Sequence, residues 1–173
     1  MKPIMVTEAL TALLTRELRC IQREIEAYPS DAQVWQTHPA LPNTAGTLAL
    51  HAAGNLLHFI GAVFGGTGYQ RDRDAEFQRY NVARAELLQI LREAVDVVQQ
   101  VLPGVTGAQL EDWYPLSVAG RRIRSGEFLM HLAVHLGYHL GQIDYHRRMV
   151  TGDAKTTGAV SPAELSSAVA VHA

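Results

Sequence analysis

The sequence predicts an all-α fold, a four-helix bundle, on three observations. Apolar residues recur at spacings of three and four through four long segments, the pattern of amphipathic helices. Prolines stand between those segments and not within them. Only residues 113–124 depart from the helical pattern while still carrying apolar side chains.

The first helix spans residues 6–27, with Leu10, Leu13, Leu14, Leu18, Ile21 and Ile25 on one face. Tyr28-Pro29-Ser30 stops it. In the polar connector that follows, His38-Pro39 and Leu41-Pro42 hold the residue before each proline extended. A second helix starts at Asn43 or Thr44, either of which can cap it. It runs to residue 64 and ends at Gly65-Gly66, where glycine supplies the left-handed conformation of a helix terminus. It is apolar almost all round and is therefore expected to be buried on most sides. After the charged connector GTGYQRDRDAEFQRY, a third helix over 82–102 presents Leu87, Ile90, Leu91, Ala94, Val97, Val98 and Val101, and Pro103-Gly104 ends it. In WYPLSVAGRRIR, Leu116, Val118 and Ile123 flank Ala119-Gly120, which predicts a small irregular β-hairpin. Ser125 then caps the last long helix, with Glu127 in its first turn, and that helix runs to residue 150. In the tail, Ser161-Pro162-Ala163-Glu164 reads as a capping box with proline at the first helical position, and predicts a short C-terminal helix carrying Leu165 and Val169. The bundle domain is thus residues 1–152 and the tail 153–173.

Composition narrows the function. A chain of 173 residues that is 47% apolar suits one domain with a real core. A net charge of -2, with basic residues only in short runs at 71–73, 121–124 and 146–148, gives no footprint for nucleic acid. One cysteine, Cys20, makes no internal disulfide. Glu8, Arg16 and Glu17 interrupt any signal-peptide core. The longest apolar run, LALHAAGNLLHFIGAVF, contains two histidines and an asparagine and does not read as a membrane span. The expectation is a soluble, cytoplasmic protein with neither nucleic acid nor membrane as partner.

The last helix carries a histidine ladder, His131, His135, His139 and His146, within FLMHLAVHLGYHLGQIDYHRRMV. Residues four apart lie one turn up on nearly the same face, so His135 and His139 can grip one ion from one side. A catalytic metal site usually takes a third protein ligand and leaves one position open. The second helix offers His51 and His58, seven apart on about one face, with Asn55 between them. A histidine within LALHAAGNLL is costly to bury unless its nitrogens find partners. A core histidine hydrogen-bonded to protein is the bland reading. Two helices that each carry histidines on apolar stretches favour a metal, although spacing does not choose between His51 and His58.

LHAAGNLLHFIG, GGTGYQRDRDAEF and HLAVHLGYHLGQI, in this order, resemble the DinB/YfiT-like superfamily of metalloenzymes. The resemblance implies a four-helix bundle holding a divalent metal through three histidines, one from the second helix and two from an HxxxH pair on the last. Aligned on Gly141-Gln142, the matching residues are His51, His135 and His139. Many members read HExHHxGQ; here Leu136 and Tyr138 replace the glutamate and the extra histidine, neither of which is a ligand in that triad. Three imidazoles suit zinc, nickel or iron(II). The resemblance further implies a thiol S-transferase or hydrolase, in which a metal-bound thiolate or hydroxide attacks a small electrophilic substrate and a low-molecular-weight thiol serves as partner. The alternative is a non-catalytic metal-binding or structural, stress-response bundle.

Around the triad, Asn55 and Gln142 lie a turn or less from ligands, and a cleft lined by Asn55, His58 or Tyr138 is expected to admit substrate. His58, His131 and His146 are expected not to be ligands. Arg71 and Arg73 offer an anion clamp, although such alternation of charge is more often a solvated surface. Trp35 and Trp113 read as packing residues. The apolar faces of the second helix and the apolar stripe of the tail predict a homodimer.

Overall fold

A computed structural model describes residues 6–158 and 160–170. Its regular elements are helices, and no strand occurs among the described residues. Four long rods dominate: α1 (Val6–Glu26), α3 (Ala45–Leu56), α6 (Arg84–Val101) and α8 (Ser125–Thr151). α1 packs against α6 and α8, and α3 packs against the same two. Shorter helices occupy the connectors: α2 (Asp31–Val34), α4 (Val63–Gly65), α5 (Arg73–Gln78) and α7 (Gly107–Glu111).

The predicted apolar faces meet in one core. Leu14, Leu18, Ile21 and Ile25 of α1 join Ala49, Ala53 and Leu56 of α3, Leu87, Leu91 and Val98 of α6, and Leu129, Leu132, Leu136 and Ile143 of α8. Each large aliphatic side chain removed from water contributes roughly 1.5–3 kcal/mol before chain entropy is set against it. Every residue of α3 is buried, between α1, α5, α6 and α8. The chain itself therefore covers the α3 part of the apolar surface on which self-association was expected, while the tail's Leu165 and Val169 stay exposed. By length and hydropathy residues Ala45–Gly65 could cross a bilayer, but 67% of that window is buried among the other helices.

Thr44 starts α3 as expected, its hydroxyl accepting from the amide of Thr47 at 3.2 Å. The rod then departs from α geometry: Leu57–Ala62 form a π-helical segment before α4, which ends at left-handed Gly66. Such wide turns are often found at functional sites, and this one contains His58. Gly46 lies under the buried indole of Trp35, where a Cβ would strike the ring at 2.6 Å. Trp35 is thus the packing residue expected of it, whereas Trp113 is exposed beneath Arg122 and Arg124.

Three local expectations change. Residues 113–124 do double back, through isolated antiparallel bridges between Trp113 and Arg124 and between Val118 and Arg121. Ala119 and Gly120 both take positive φ at the tight turn. Pro115 has no amide hydrogen to extend the ladder, so no strand forms. Ser125 does not cap α8. Arg124 holds the N-cap position, while the Ser125 amide donates to the Asp112 carbonyl at 2.9 Å. The expected C-terminal helix is one 3₁₀ turn, Pro162–Glu164, capped by Ser161. Leu165 and Val169 stay exposed, too few apolar side chains to hold a longer helix. The tail instead lies along α1, where Arg23 donates to the Thr157 and Gly158 carbonyls and Arg16 to that of Ser161.

Candidate metal centre

His51 sits in the middle of α3 and is almost wholly buried. Its Nδ1–H donates to Glu76 Oε2 at 2.9 Å. Glu76 comes from α5, and Arg71 clamps it from the preceding loop: Nε donates to Oε1 at 2.7 Å and an Nη to Oε2 at 2.8 Å. This two-point pairing is the strong, directional form of an arginine–carboxylate bond. Burial pushes the Glu76 carboxyl up, but the hydrogen bonds from Arg71 and His51 outweigh it and hold the group below the usual carboxylate range. An ionised, acceptor-only Glu76 fixes the His51 tautomer with its proton on Nδ1 and its lone pair on Nε2.

The local sequence explains how Glu76 reaches α3. Asp72 caps α5, accepting from the Ala75 amide at 2.9 Å, and so sets the direction of that short helix. Gly54 stands one turn after His51, where a Cβ would collide with the Glu76 carboxylate. A glycine inside a helix costs about 1 kcal/mol relative to alanine; here it opens the space in which the carboxylate meets the imidazole.

α8 supplies the other half. The Nδ1–H of His139 donates to Gln142 Oε1 at 2.7 Å, and its Nε2 lies 3.1 Å from the Nε2 of His135. The ring of His51 is 5.3 Å from that of His135 and 5.1 Å from that of His139, centroid to centroid. One ligand atom from each of the three lies within 4.8 Å of the other two. Burial pushes His135 down to about 4, with His139, His51, His131 and Arg71 adding to the effect. Burial also lowers His139, against the hydrogen bond to Gln142. His135 and His139 are therefore neutral near pH 7.

These residues fit a metal. Two nitrogens sharing a tetrahedral zinc at bonds of about 2.0–2.1 Å stand roughly 3.3 Å apart, close to the observed separation of the two Nε2 atoms on α8. For His51 and His139 the second ring nitrogen is tied to an acceptor, the arrangement that orients metal-binding imidazoles.

The remaining histidines lie outside the cluster. His131 is exposed and stacks on Phe128 and His135. His146 is buried and paired on both nitrogens, with Tyr28 and Gln36. His58, in the π segment, is half-buried with its ring against Phe59, and its Nδ1 has no hydrogen-bond partner among the described residues. The buried Oδ1 of Asn55 is unpartnered in the same sense. Tyr138 is exposed, its ring 5.4 Å from that of His139. A groove of about 360 Å³ runs beside the cluster, lined by Leu41, Pro42, Leu48, Tyr138, Gln142 and Tyr145. Tyr138 lines it; Asn55, His58 and the three clustered histidines do not. Another cavity, of about 840 Å³, lies along α1 and is lined by no histidine.

Arg71 is not a free anion clamp, because Glu76 takes its guanidinium; Arg73 lies over the ring of Phe77. Glu76 itself was not singled out from the sequence. Its signal was the need of a buried His51 for an acceptor, with the carboxylates of RDRDAEF as the nearest supply.

No curated protein matches this chain. The model of a family described as proteins of unknown function, DUF1572, matches residues 6–163, a span that holds all three clustered histidines together with Arg71, Glu76 and Gln142, and the chain belongs to that family.

Proposed function

We propose that this protein is a DinB/YfiT-like four-helix bundle that holds one divalent transition-metal ion through His51, His135 and His139. It works as a metal-dependent enzyme of the thiol S-transferase or hydrolase kind. The observation that carries this reading is the convergence of three imidazoles, two of them with Nδ1–H tied to Glu76 and Gln142, around one point. The donor set suits zinc, nickel or iron(II). When bound, the ion supplies a positive charge that lowers the pKa of a water or thiol at its open position. The chain's own residues prepare that position. Glu76 and Gln142 keep the protons of His51 and His139 on Nδ1, so that both Nε2 lone pairs face inward. Arg71 keeps Glu76 ionised. Leu41, Pro42, Leu48 and Tyr138 give the neighbouring groove an apolar wall suited to a small electrophilic substrate.

Metal analysis of protein purified without an affinity tag tests the proposal. About one equivalent of a transition metal is expected, and none overturns the reading. With cobalt in the site, millimolar thiol or imidazole is expected to change the visible absorption. An indifferent spectrum would leave a closed, non-catalytic metal site and overturn the enzymatic part.

A further inference from the structure

The cavity of about 840 Å³ along α1 falls in the size range of small-molecule sites and shares no lining residue with the histidine cluster. Parts far apart in the chain wall it: α1 between Thr7 and Arg19, the end of α6 with residues 103–107, and Glu164 of the tail. The α1 wall is about 18 Å long.

Thr7, Thr11 and Thr15 stand one turn apart along that wall. Thr11 turns its hydroxyl back to the Thr7 carbonyl at 2.7 Å, a common refuge for a helical threonine. Thr15 does not: it is buried, and its Oγ1 has no partner among the described residues. The next residue, Arg16, is only 7% exposed. Of the five N–H donors of a guanidinium, Arg16 directs two at Glu17 and one at the Ser161 carbonyl, which leaves two without a partner among the described residues. Buried groups with unmet hydrogen bonds call for an explanation, and a ligand in the cavity they line supplies one.

Charge narrows the ligand. Glu17 answers Arg16, and Arg23 answers Glu164 at 3.5 Å. Arg19 lies one turn beyond Arg16, exposed and in no ion pair among the described residues. This end of the cavity therefore has one uncompensated positive charge. Ala12, Pro103 and Val105 give the middle an apolar wall, and Glu8 at the far end disfavours a second anionic group there.

We propose that this cavity binds a small monocarboxylate with an apolar body. The carboxylate accepts from Arg19 and from the spare donors of Arg16, with the Thr15 hydroxyl as a further donor. The apolar body lies against Ala12, Pro103 and Val105. A phosphate dianion would exceed the one charge on offer and would face Glu164. Glu164 and Ser161 belong to the tail, so the bound acid also ties the tail to α1. The proposal does not depend on a metal being bound.

Isothermal titration calorimetry on the full chain tests it, with octanoate and phenylbutyrate as probes. At least one of the two acids is expected to bind saturably at one equivalent. Octanol, octylamine and inorganic phosphate should bind at least about tenfold more weakly. Arg19→Gln, an exposed substitution that leaves the fold intact, should weaken the acid about tenfold. His139→Ala should bind it as wild type does. No saturable binding of either acid, equal binding of octanol or phosphate, or an Arg19→Gln variant that binds like wild type would each overturn the proposal. Binding lost in His139→Ala but kept in Arg19→Gln would put the carboxylate at the histidines and overturn it as well.

Discussion

His139 and His146 lie seven residues apart on α8, and burial lowers the pKa of both. Their nitrogens are used differently. In His146, Nδ1 accepts from the Tyr28 hydroxyl at 2.7 Å and Nε2–H donates to the Gln36 carbonyl at 2.8 Å. The ring is used up by the protein and pins α8 to the 28–36 segment. In His139 only Nδ1–H is committed, to Gln142, while Nε2 faces the Nε2 of His135. His51 repeats that half-committed state through Glu76. Burial alone therefore does not separate a structural histidine from a ligand. The test is whether both nitrogens have protein partners or one is left converging on a shared point.

The largest expected effect breaks the comparison from the ligand side. His139→Ala should reduce metal affinity at least ~100-fold, since it removes one of the three proposed protein ligands. His58→Ala and His146→Ala should leave the stoichiometry of folded protein unchanged. Equal metal loss in His58→Ala and His139→Ala, read by metal analysis after dialysis, would refute the assignment. From the structural side, His146→Ala should destabilise the fold by about 3 kcal/mol, because it opens a cavity and strands the Tyr28 hydroxyl and the Gln36 carbonyl. Urea unfolding measures this, and a loss below about 1 kcal/mol would show that the paired ring does not pin α8.

A subtler change acts through the tie on His51. Glu76→Gln keeps the side chain's size but removes the charge that fixes the tautomer, and it leaves Arg71 without its counter-ion. Metal affinity in chelator competition should fall 10–100-fold, the usual cost of losing a partner behind a ligand. Gly54→Ala, which pushes Glu76 away from His51, should fall in the same range. Unchanged affinity in both would mean that the carboxylate only fills space.

The four long helices were legible because their apolar spacing reports directly on burial, from Leu10 to Ile25 and from Leu87 to Val101. The short helices α2, α5 and α7 were not, since four to six residues carry too little periodicity and tertiary contacts hold them in place. Ser125 has a good capping side chain, but the fold takes its amide for Asp112 instead. At the site, the i, i+4 spacing gave His135 and His139, whereas only the family resemblance preferred His51 to His58. Glu76 and Arg71 stayed hidden for a physical reason. RDRDAEF has the charge pattern of a solvated segment, and Asp72, Arg73 and Asp74 are exposed; Glu76 alone is buried, in space left open by Gly54, 22 residues away on another helix. Conversely, all-round apolarity made the second helix, with the tail, look like an association surface, whereas α3 is buried between α1, α5, α6 and α8.

The smallest expected effect is a pH dependence. Burial pushes His146 below its ordinary pKa, against the pull of the hydrogen bond to Gln36. In the unfolded chain the ring titrates near 6.5. As pH falls through that value the unfolded state takes up a proton that the folded state resists. The contribution of neutral His146 is thus fully present above about pH 6.5 and lost as pH drops towards the folded value, with a slope of at most ~1.4 kcal/mol per pH unit. His135 and His139 act with the same sign in metal-free protein. Metal-free wild type should therefore lose stability steadily from pH 7 to 5, and His146→Gln should lose it less steeply. The difference in unfolding free energy between the two proteins should shrink over that interval. A difference that stays constant with pH would mean that His146 takes up its proton in the folded state as readily as in the unfolded chain, and one that grows as pH falls would mean that it already carries the proton. Tyr28 could then no longer donate to Nδ1, and the contrast between a fully paired histidine and a half-paired one would fail at its structural end.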